Sequence, residues 1–289
     1  MAANPTMLTI HLMGGLGNQL FQIVTTIATA LENGVAFRFP YSEQLTTGKV
    51  RPTYWDTIFK SIRPFAININ LATIPRIVEP EFHYTPIPPI NQSLHLYGYF
   101  QSPRYFEAQF EKICRLLRIA DQRAAVRTEF AELLTAPSLA ETVSLHFRLG
   151  DYKALAHYHP IMPPTYYKAA LAKLPADKPY RVLYFCEAED NADVAATIED
   201  ISKTFPYMTF VKVPDEVCDW KQMFLMSLCD HHVIANSSFS WWGAYFGWAL
   251  AKADGHKQVF YPSRWFGPAA GNKIMKDLFP AGWTRIRVI

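Results

Sequence analysis

A chain of 289 residues has room for two ordinary domains, and with half of them hydrophobic it excludes general disorder. Twenty-eight Lys and Arg against 25 Asp and Glu leave +3, too small and scattered a surplus for nucleic-acid binding by bulk charge. A local cationic site stays open, and 20 Phe, 15 Tyr and 7 Trp supply faces for cores and for sugar stacking.

The N-terminus, MAANPTMLTIHLMGG, has no basic stretch followed by a long apolar core, so no signal peptide is expected. Leu8–Met13 is a compact apolar run that reads as a strand, ending in Gly14-Gly15-Leu16-Gly17. From Asn18, the spacing of Leu20, Phe21, Val24, Ile27, Ala28 and Leu31 predicts a helix, stopped by Asn33-Gly34. Val35–Phe39 is the next strand, and this β–loop–α–β opening resembles the first unit of a doubly wound sheet. Residues 40 to 103 are proline-rich and poorly periodic, which predicts an irregular, turn-rich segment. Arg104–Ile119 and Asp121–Leu134 read as amphipathic helices, and Ala136-Pro137-Ser138 as a linker. The domains expected are therefore 1–137 and 138–289.

The second half alternates regularly. Strands are expected at Thr142–Phe147, Tyr180–Cys186, Met208–Val213, His231–Ala235 and Gln258–Tyr261. Helices are expected at Pro163–Leu174, Asn191–Thr204, Trp220–Cys229 and after Asn236. Such alternation predicts an α/β chain with parallel sheets and ligands at the carboxyl ends of the strands. Val233–Ala251 is 19 residues without a charge, close to a membrane span, but Asn236, Ser237, Ser238 and Ser240 at its start fit a buried strand–loop–helix better. Cys114, Cys186, Cys218 and Cys229 form no CxxC pair, which excludes a disulfide scaffold or zinc ribbon and fits free thiols in a reducing, cytoplasmic setting.

Three loops after predicted strands carry chemistry. In Gly14–Gln19, glycines let a ligand approach the backbone, and the helix start favours negative charge. The same turn also serves simply to reverse the chain. In His146-Phe147-Arg148-Leu149-Gly150-Asp151, alternation puts His146 and Arg148 on one face, and the guanidinium can fork onto phosphate oxygens. Asp151 either orients that arginine or accepts a proton; a structural Arg–Asp pair closing a turn is equally consistent. In Asn236–Gly243, one amide and three hydroxyls at a helix start exceed what capping needs, while the Trp241-Trp242 pair reads as core.

GGLGNQLFQ, HFRLGDY, and IANSSFSWWGAYF followed by FYPSRWF together resemble the motif set of the α-1,2-fucosyltransferase family. The resemblance runs from Gly14 to Phe266. It implies a GT-B-type α/β fold, two Rossmann-like halves facing across a cleft, with the N-terminal half on the acceptor side and GDP-fucose held by the C-terminal half. It further implies inverting transfer of L-fucose from GDP-β-L-fucose to the 2-hydroxyl of a terminal galactose of a glycan, without metal or resident cofactor. By position, Arg148 would neutralise the diphosphate, with His146, Ser237, Ser238, Phe239 and Ser240 around it. Gly15, Gly17 and Asn18 would approach the nucleotide sugar from the first half. The family often has a second arginine where this chain has Leu149, which makes Lys153 the candidate for a compensating cation, and often an acidic residue where it has Gln222.

Asp151 is the first candidate for the base that deprotonates the acceptor, with His157 and His159 as rivals. Tyr54, Trp55, Tyr84, Tyr97 and Tyr99 are candidates for stacking on the acceptor. A catalytically weak or inactive nucleotide-sugar- or glycan-binding protein of the same fold is the alternative, since the second arginine is missing. An NAD-dependent oxidoreductase is disfavoured: Leu20 takes the third glycine's place, and Phe37 to Tyr41 contains no acid for a ribose.

Overall fold

The computed structural model describes residues 6–135, 140–251 and 256–289, in two compact α/β units. One takes in the chain up to Gln122 with Lys273–Pro280; the other takes in Arg123–Asn272 with Ala281–Ile289. The expected linker at 136–138 and the boundary after 137 lie outside the described residues. The division falls earlier because the chain beyond Gln122 is fastened to the second unit. Arg123 Nε donates to Ser227 Oγ at 2.9 Å, Lys221 bonds Glu129, and Arg181 donates to the carbonyl of Leu133.

In the first unit, β1 (Met7–Ile10) is followed by α1 (Leu16–Asn33) and β2 (Ala36–Phe37). Helix α1 stops where predicted, at Gly34, whose φ of 64° lets its N–H cap the carbonyls of Ala30 and Leu31. The strand expected at Val35–Phe39 is divided: β2 pairs with β1, whereas β3 (Phe39–Pro40) pairs with β6 (Ala66–Ile67). Two more two-residue strands, β4 (Gln44–Leu45) and β5 (Arg51–Pro52), form the sole antiparallel pair among the described strands. The turn-rich segment also supplies β7 (Arg76–Val78) and β8 (Leu94–Tyr97), which complete a parallel sheet in the order β2-β1-β8-β7. These two strands escape a pattern reading because they are short, and Leu94, His95 and Leu96 are all buried, which erases alternation.

The helix expected from Arg104 begins as 3₁₀ turns and becomes α2 only at Phe110–Leu116. Arg118, at φ 53°, breaks it from α3 (Ile119–Glu129), which Phe130 in turn separates from α4 (Ala131–Leu134).

The second unit follows the predicted alternation closely: β9 (Glu141–His146), α5 (Pro164–Leu171), β10 (Tyr180–Phe185), α6 (Asn191–Thr204), β11 (Met208–Lys212), α7 (Asp219–Leu228), β12 (His231–Val233), α8 (Ser238–Leu250) and β13 (Val259–Pro262). A further strand, β14 (Thr284–Ile286), comes from the C-terminal stretch. Its three residues gave no sequence signal. All five pairings in the sheet β11-β10-β9-β12-β13-β14 are parallel. In chain order these strands run third, second, first, fourth, fifth, sixth, the order of a Rossmann sheet, with the reversal between β9 and β12. Two Rossmann-like halves of GT-B type are thus present, as expected.

The core of this unit joins Val143, Leu145, Tyr166, Val182, Ile201 and Val233. Helix α8 carries the uncharged run, and its apolar surface is buried nearly all round. Trp241 and Trp242 are core residues, Trp241 stacking on Tyr245 at 4.6 Å between centroids. No helix of the described residues is long and apolar enough to cross a membrane.

Candidate functional site

In a doubly wound sheet, ligands sit where the strand order reverses, because the loops on either side turn away and leave a crevice. In the second unit that point lies at the carboxyl ends of β9 and β12, the two strands that deliver His146–Asp151 and Asn236–Ser240. Strand β10 flanks β9, with Phe185 opposite His146. Three neighbouring strand ends therefore converge, and the third brings a residue that sequence reasoning missed, Glu187.

Arg148 follows β9 and is largely buried. Its Nη2 donates to Asp151 Oδ1 at 2.5 Å, its Nη1 contacts Glu187 Oε1, and the guanidinium lies 5.0 Å from the centre of the Tyr152 ring. The Arg148–Asp151 partnership was expected; the second carboxylate was not. Glu187 closes over Gly150, whose φ is +35° and where a Cβ would come within 2.9 Å of Glu187 Oε2. The Gly150 N–H donates to Asp190 Oδ2 at 2.7 Å, which fixes the short 3₁₀ turn that presents Asp151. The only signal for Glu187 was its place just past a predicted strand.

Lys153 does not replace the missing second arginine. Its ammonium is held by Asp190 at 2.7 Å and Asp193 at 2.8 Å, and these hydrogen bonds raise its pKa. Leu149 instead packs against the apolar core.

His146, the last residue of β9, is buried, and burial first and the Arg148 charge second push its pKa down to about 3. It is a neutral ring at pH 7, packed on Phe239 at 5.6 Å, and among the described residues its Nδ1 has no hydrogen-bond partner. A buried ring nitrogen without a partner is costly unless a ligand or water meets it.

The serine cluster is more structural than its composition suggested. Ser237 caps α8, accepting the N–H of Phe239 at 3.3 Å. Ser240 is buried, and its hydroxyl turns back to the carbonyls of Ser237 and Ala235. The Asn236 amide donates to the carbonyls of Pro160 and Trp265, leaving its buried Oδ1 without a partner among the described residues. Half-buried Ser238 and Phe239 form the first turn of α8, where N–H groups point away from the helix. Tyr152 Oη donates to the Asn236 carbonyl at 3.1 Å, tying this loop to the one bearing Arg148. Of the histidines proposed as bases, His157 is exposed, and His159 stacks on Tyr152 at 4.7 Å.

The glycine loop of the first unit has the same place in its own sheet, at the reversal between β1 and β8. Gly14, at φ +79°, turns the chain and leaves only 2.4 Å between a Cβ and Asn18 Nδ2. Gly15 is the N-cap, and no atom of the described residues lies within 4 Å of where its Cβ would stand. Helix α1 starts at Leu16 rather than Asn18, so Gly17 is a buried residue of the first turn. Asn18 Oδ1 accepts from Gln101 Nε2 at 2.8 Å, and Gln22 joins the two strand ends, accepting the Met13 N–H and donating to the Gly98 carbonyl. Of the aromatics proposed for stacking, Tyr54 and Trp55 are buried in the core, Trp55 against Phe39 and Phe59, whereas Tyr99 is exposed.

The sequence model of glycosyl transferase family 11 matches residues 1–251. The O-antigen biosynthesis glycosyltransferase WbnK of Escherichia coli is 27% identical over 194 residues, which are 63% of this chain and 58% of WbnK. The alpha-1,2-colitosyltransferase of Escherichia coli is 26% identical over 297 residues, covering 96% of this chain and 97% of that one. Among solved structures, a mutant Arabidopsis thaliana FUT1 in complex with GDP is 12% identical at a TM-score of 0.47, covering 84% of this chain and 68% of that one. Heptosyltransferase II of E. coli is 12% identical at a TM-score of 0.49, covering 98% and 91%.

Proposed function

This chain belongs to glycosyl transferase family 11, a family of glycosyltransferases, and from that premise we propose that it moves L-fucose from GDP-β-L-fucose to the 2-hydroxyl of a terminal galactose. The transfer inverts the anomeric centre and uses neither metal nor resident cofactor. The observation that carries this reading is Arg148 at the strand-order reversal, beside the first turn of α8.

When the glycosidic bond to the diphosphate breaks, negative charge grows on the leaving oxygen. A cation and helix-start N–H groups held in place before the reaction stabilise that charge without reorganising. Arg148 supplies the cation, the start of α8 supplies the positive end of its dipole, and Ser237 holds that turn by capping the Phe239 N–H. His146 Nδ1 and Asn236 Oδ1 are the buried polar atoms a bound nucleotide would satisfy. Asp151, already bonded to Arg148, acts as a positioning residue for the guanidinium. Gly15 and Asn18 form the acceptor-side approach in the first unit.

The test is a transfer assay with GDP-fucose, a colitosyl donor and a panel of β-galactosides, with and without EDTA, and product linkage assigned by NMR. Fucose on the galactose 2-hydroxyl with EDTA present is the expected result. Fucose on another hydroxyl overturns the regiochemistry, preference for the colitosyl donor overturns the sugar, and loss of activity in EDTA overturns the metal-free transfer. GDP binding without any product returns the chain to the non-catalytic alternative.

A further inference from the structure

Several cations of the second unit have acidic neighbours: Arg148 has Asp151 and Glu187, Lys168 has Asp200, Lys178 has Glu141 and Lys212 has Asp215. Arg264, Arg285 and Arg287 differ, and among the described residues no carboxylate pairs with any of them.

Register brings these three together. β14 is the edge strand, with Tyr261 of β13 opposite Arg285 and Pro262 opposite Ile286. The ladder runs on past both strands: the Ser263 N–H donates to the Ile286 carbonyl at 2.8 Å, and the Val288 N–H donates to Ser263 Oγ at 2.9 Å. Ile286 and Val288 are buried, so alternation turns Arg285, Arg287 and Ile289 to the opposite face. Arg264 joins them from the residue after Ser263. A cavity of about 550 Å³ opens among Ser263, Arg264, Arg285, Arg287, Val288 and Ile289.

Charge on an edge strand discourages unwanted pairing with other chains, but that role does not require convergence on one cavity. Like charges around a concavity repel until an anion arrives, and the planar guanidinium fork matches phosphoryl oxygens. Ser263 Oγ accepts from Val288 and keeps its own proton to donate. Among the described residues no acidic side chain lines the cavity, and its volume is that of a small-molecule site, with room beyond a bare phosphate.

We propose that this cavity is a second anion site, taking a phosphorylated small molecule whose phosphoryl group is forked by Arg285 and Arg287 and met by Arg264 and the Ser263 hydroxyl. It lies on the same carboxyl edge as Arg148, β13 two strands and β14 three strands from β9. At about 4.8 Å per strand that is roughly 10–14 Å, too far for the two phosphates of one diphosphate group. The site therefore recognises a phosphoryl group other than the donor's, and it stands independently of the donor assignment.

Titration calorimetry of the full chain with inorganic pyrophosphate, at constant ionic strength and with GDP saturating, tests this. Wild type is expected to bind one further pyrophosphate. The double variant Arg285→Gln/Arg287→Gln, checked for folding by its melting temperature, should weaken that binding at least tenfold and leave GDP affinity unchanged. Arg148→Gln should leave pyrophosphate binding at the cavity intact. Absence of the second binding event, or equal affinity in the double variant, overturns the proposal. Loss of GDP binding in the double variant also overturns it, by placing the cavity within the donor site. If wild type does not bind GDP, the donor reading fails, and the same pyrophosphate titration without GDP still decides the cavity.

Discussion

Both units carry a loop at the point where their strand order reverses, and the two loops are built from opposite chemistry. In the first unit the loop is neutral: Gly14 turns it, Asn18 is held by Gln101, and Gln22 joins the strand ends. In the second it is charged: Arg148 is bracketed by Asp151 and Glu187, and the neighbouring turn is pinned by Asp190. The same topological position thus yields two kinds of site. In the proposed function, one admits a ligand by leaving the backbone bare, and the other meets it with a guanidinium already oriented. Under the proposed function the carboxylates have a cost, since a diphosphate would compete with them for Arg148.

The sharpest way to break this contrast is Arg148→Ala. With the fold intact by circular dichroism, its turnover should fall at least about 100-fold, the scale of a lost transition-state donor. A near-normal rate would remove the charged loop from the chemistry. Asp151→Asn keeps an oxygen for the guanidinium and drops the charge, so a loss of about tenfold is expected in kcat, with the pH–rate profile unmoved. A loss in the range of about 10²–10⁴ accompanied by disappearance of the acidic limb would make Asp151 the general base instead.

The buried ring of His146 makes the second unit sensitive to acid. In the fold it stays neutral down to about pH 3, whereas an unfolded histidine takes its proton near 6.5. The unfolded state binds that proton first, so the stability contributed is full above about 6.5 and drains as pH falls toward 3. The slope is about 1.4 kcal/mol per pH unit for one such group. Denaturant midpoints measured from pH 7 to 4 should fall less steeply in His146→Leu; parallel curves would contradict a neutral buried ring. His232, also pushed well down by burial, keeps part of the slope in both proteins.

The smallest effects sharpen the neutral loop. Gly14→Ala forces a side chain into the left-handed region and onto Asn18, for a loss of about 1–2 kcal/mol in melting experiments. Gly15→Ala meets no atom within 4 Å and should melt like wild type. If its transfer activity nonetheless drops, the added methyl is meeting the ligand, as the glycine-loop reading requires. Unchanged activity would leave Gly15 as a helix cap.

What could be read from the sequence depended on the range of the interactions. Helix α6 matches its expected bounds because its apolar period is local, and Arg148, Asp151 and Ser237 stand out as candidates because each belongs to a contiguous motif after a clear strand. β7 and β8 were hidden by brevity, and β8 also by burial on both faces. Glu187, 39 positions beyond Arg148, and Gln101, 83 beyond Asn18, have roles set by strand adjacency, which no local pattern encodes. For the serines the sequence showed composition and not partners: Ser237 accepts the Phe239 N–H, and Ser240 donates to the Ser237 carbonyl, so both also serve the helix start itself.

The central claim is that Arg148 holds the diphosphate of a nucleotide sugar. Titration calorimetry of GDP against wild type and Arg148→Ala, in EDTA, tests it directly. Loss of a charged hydrogen bond is worth about 1.5–3 kcal/mol, so the variant should bind GDP at least about tenfold more weakly. Equal GDP affinity in the two proteins would contradict the account.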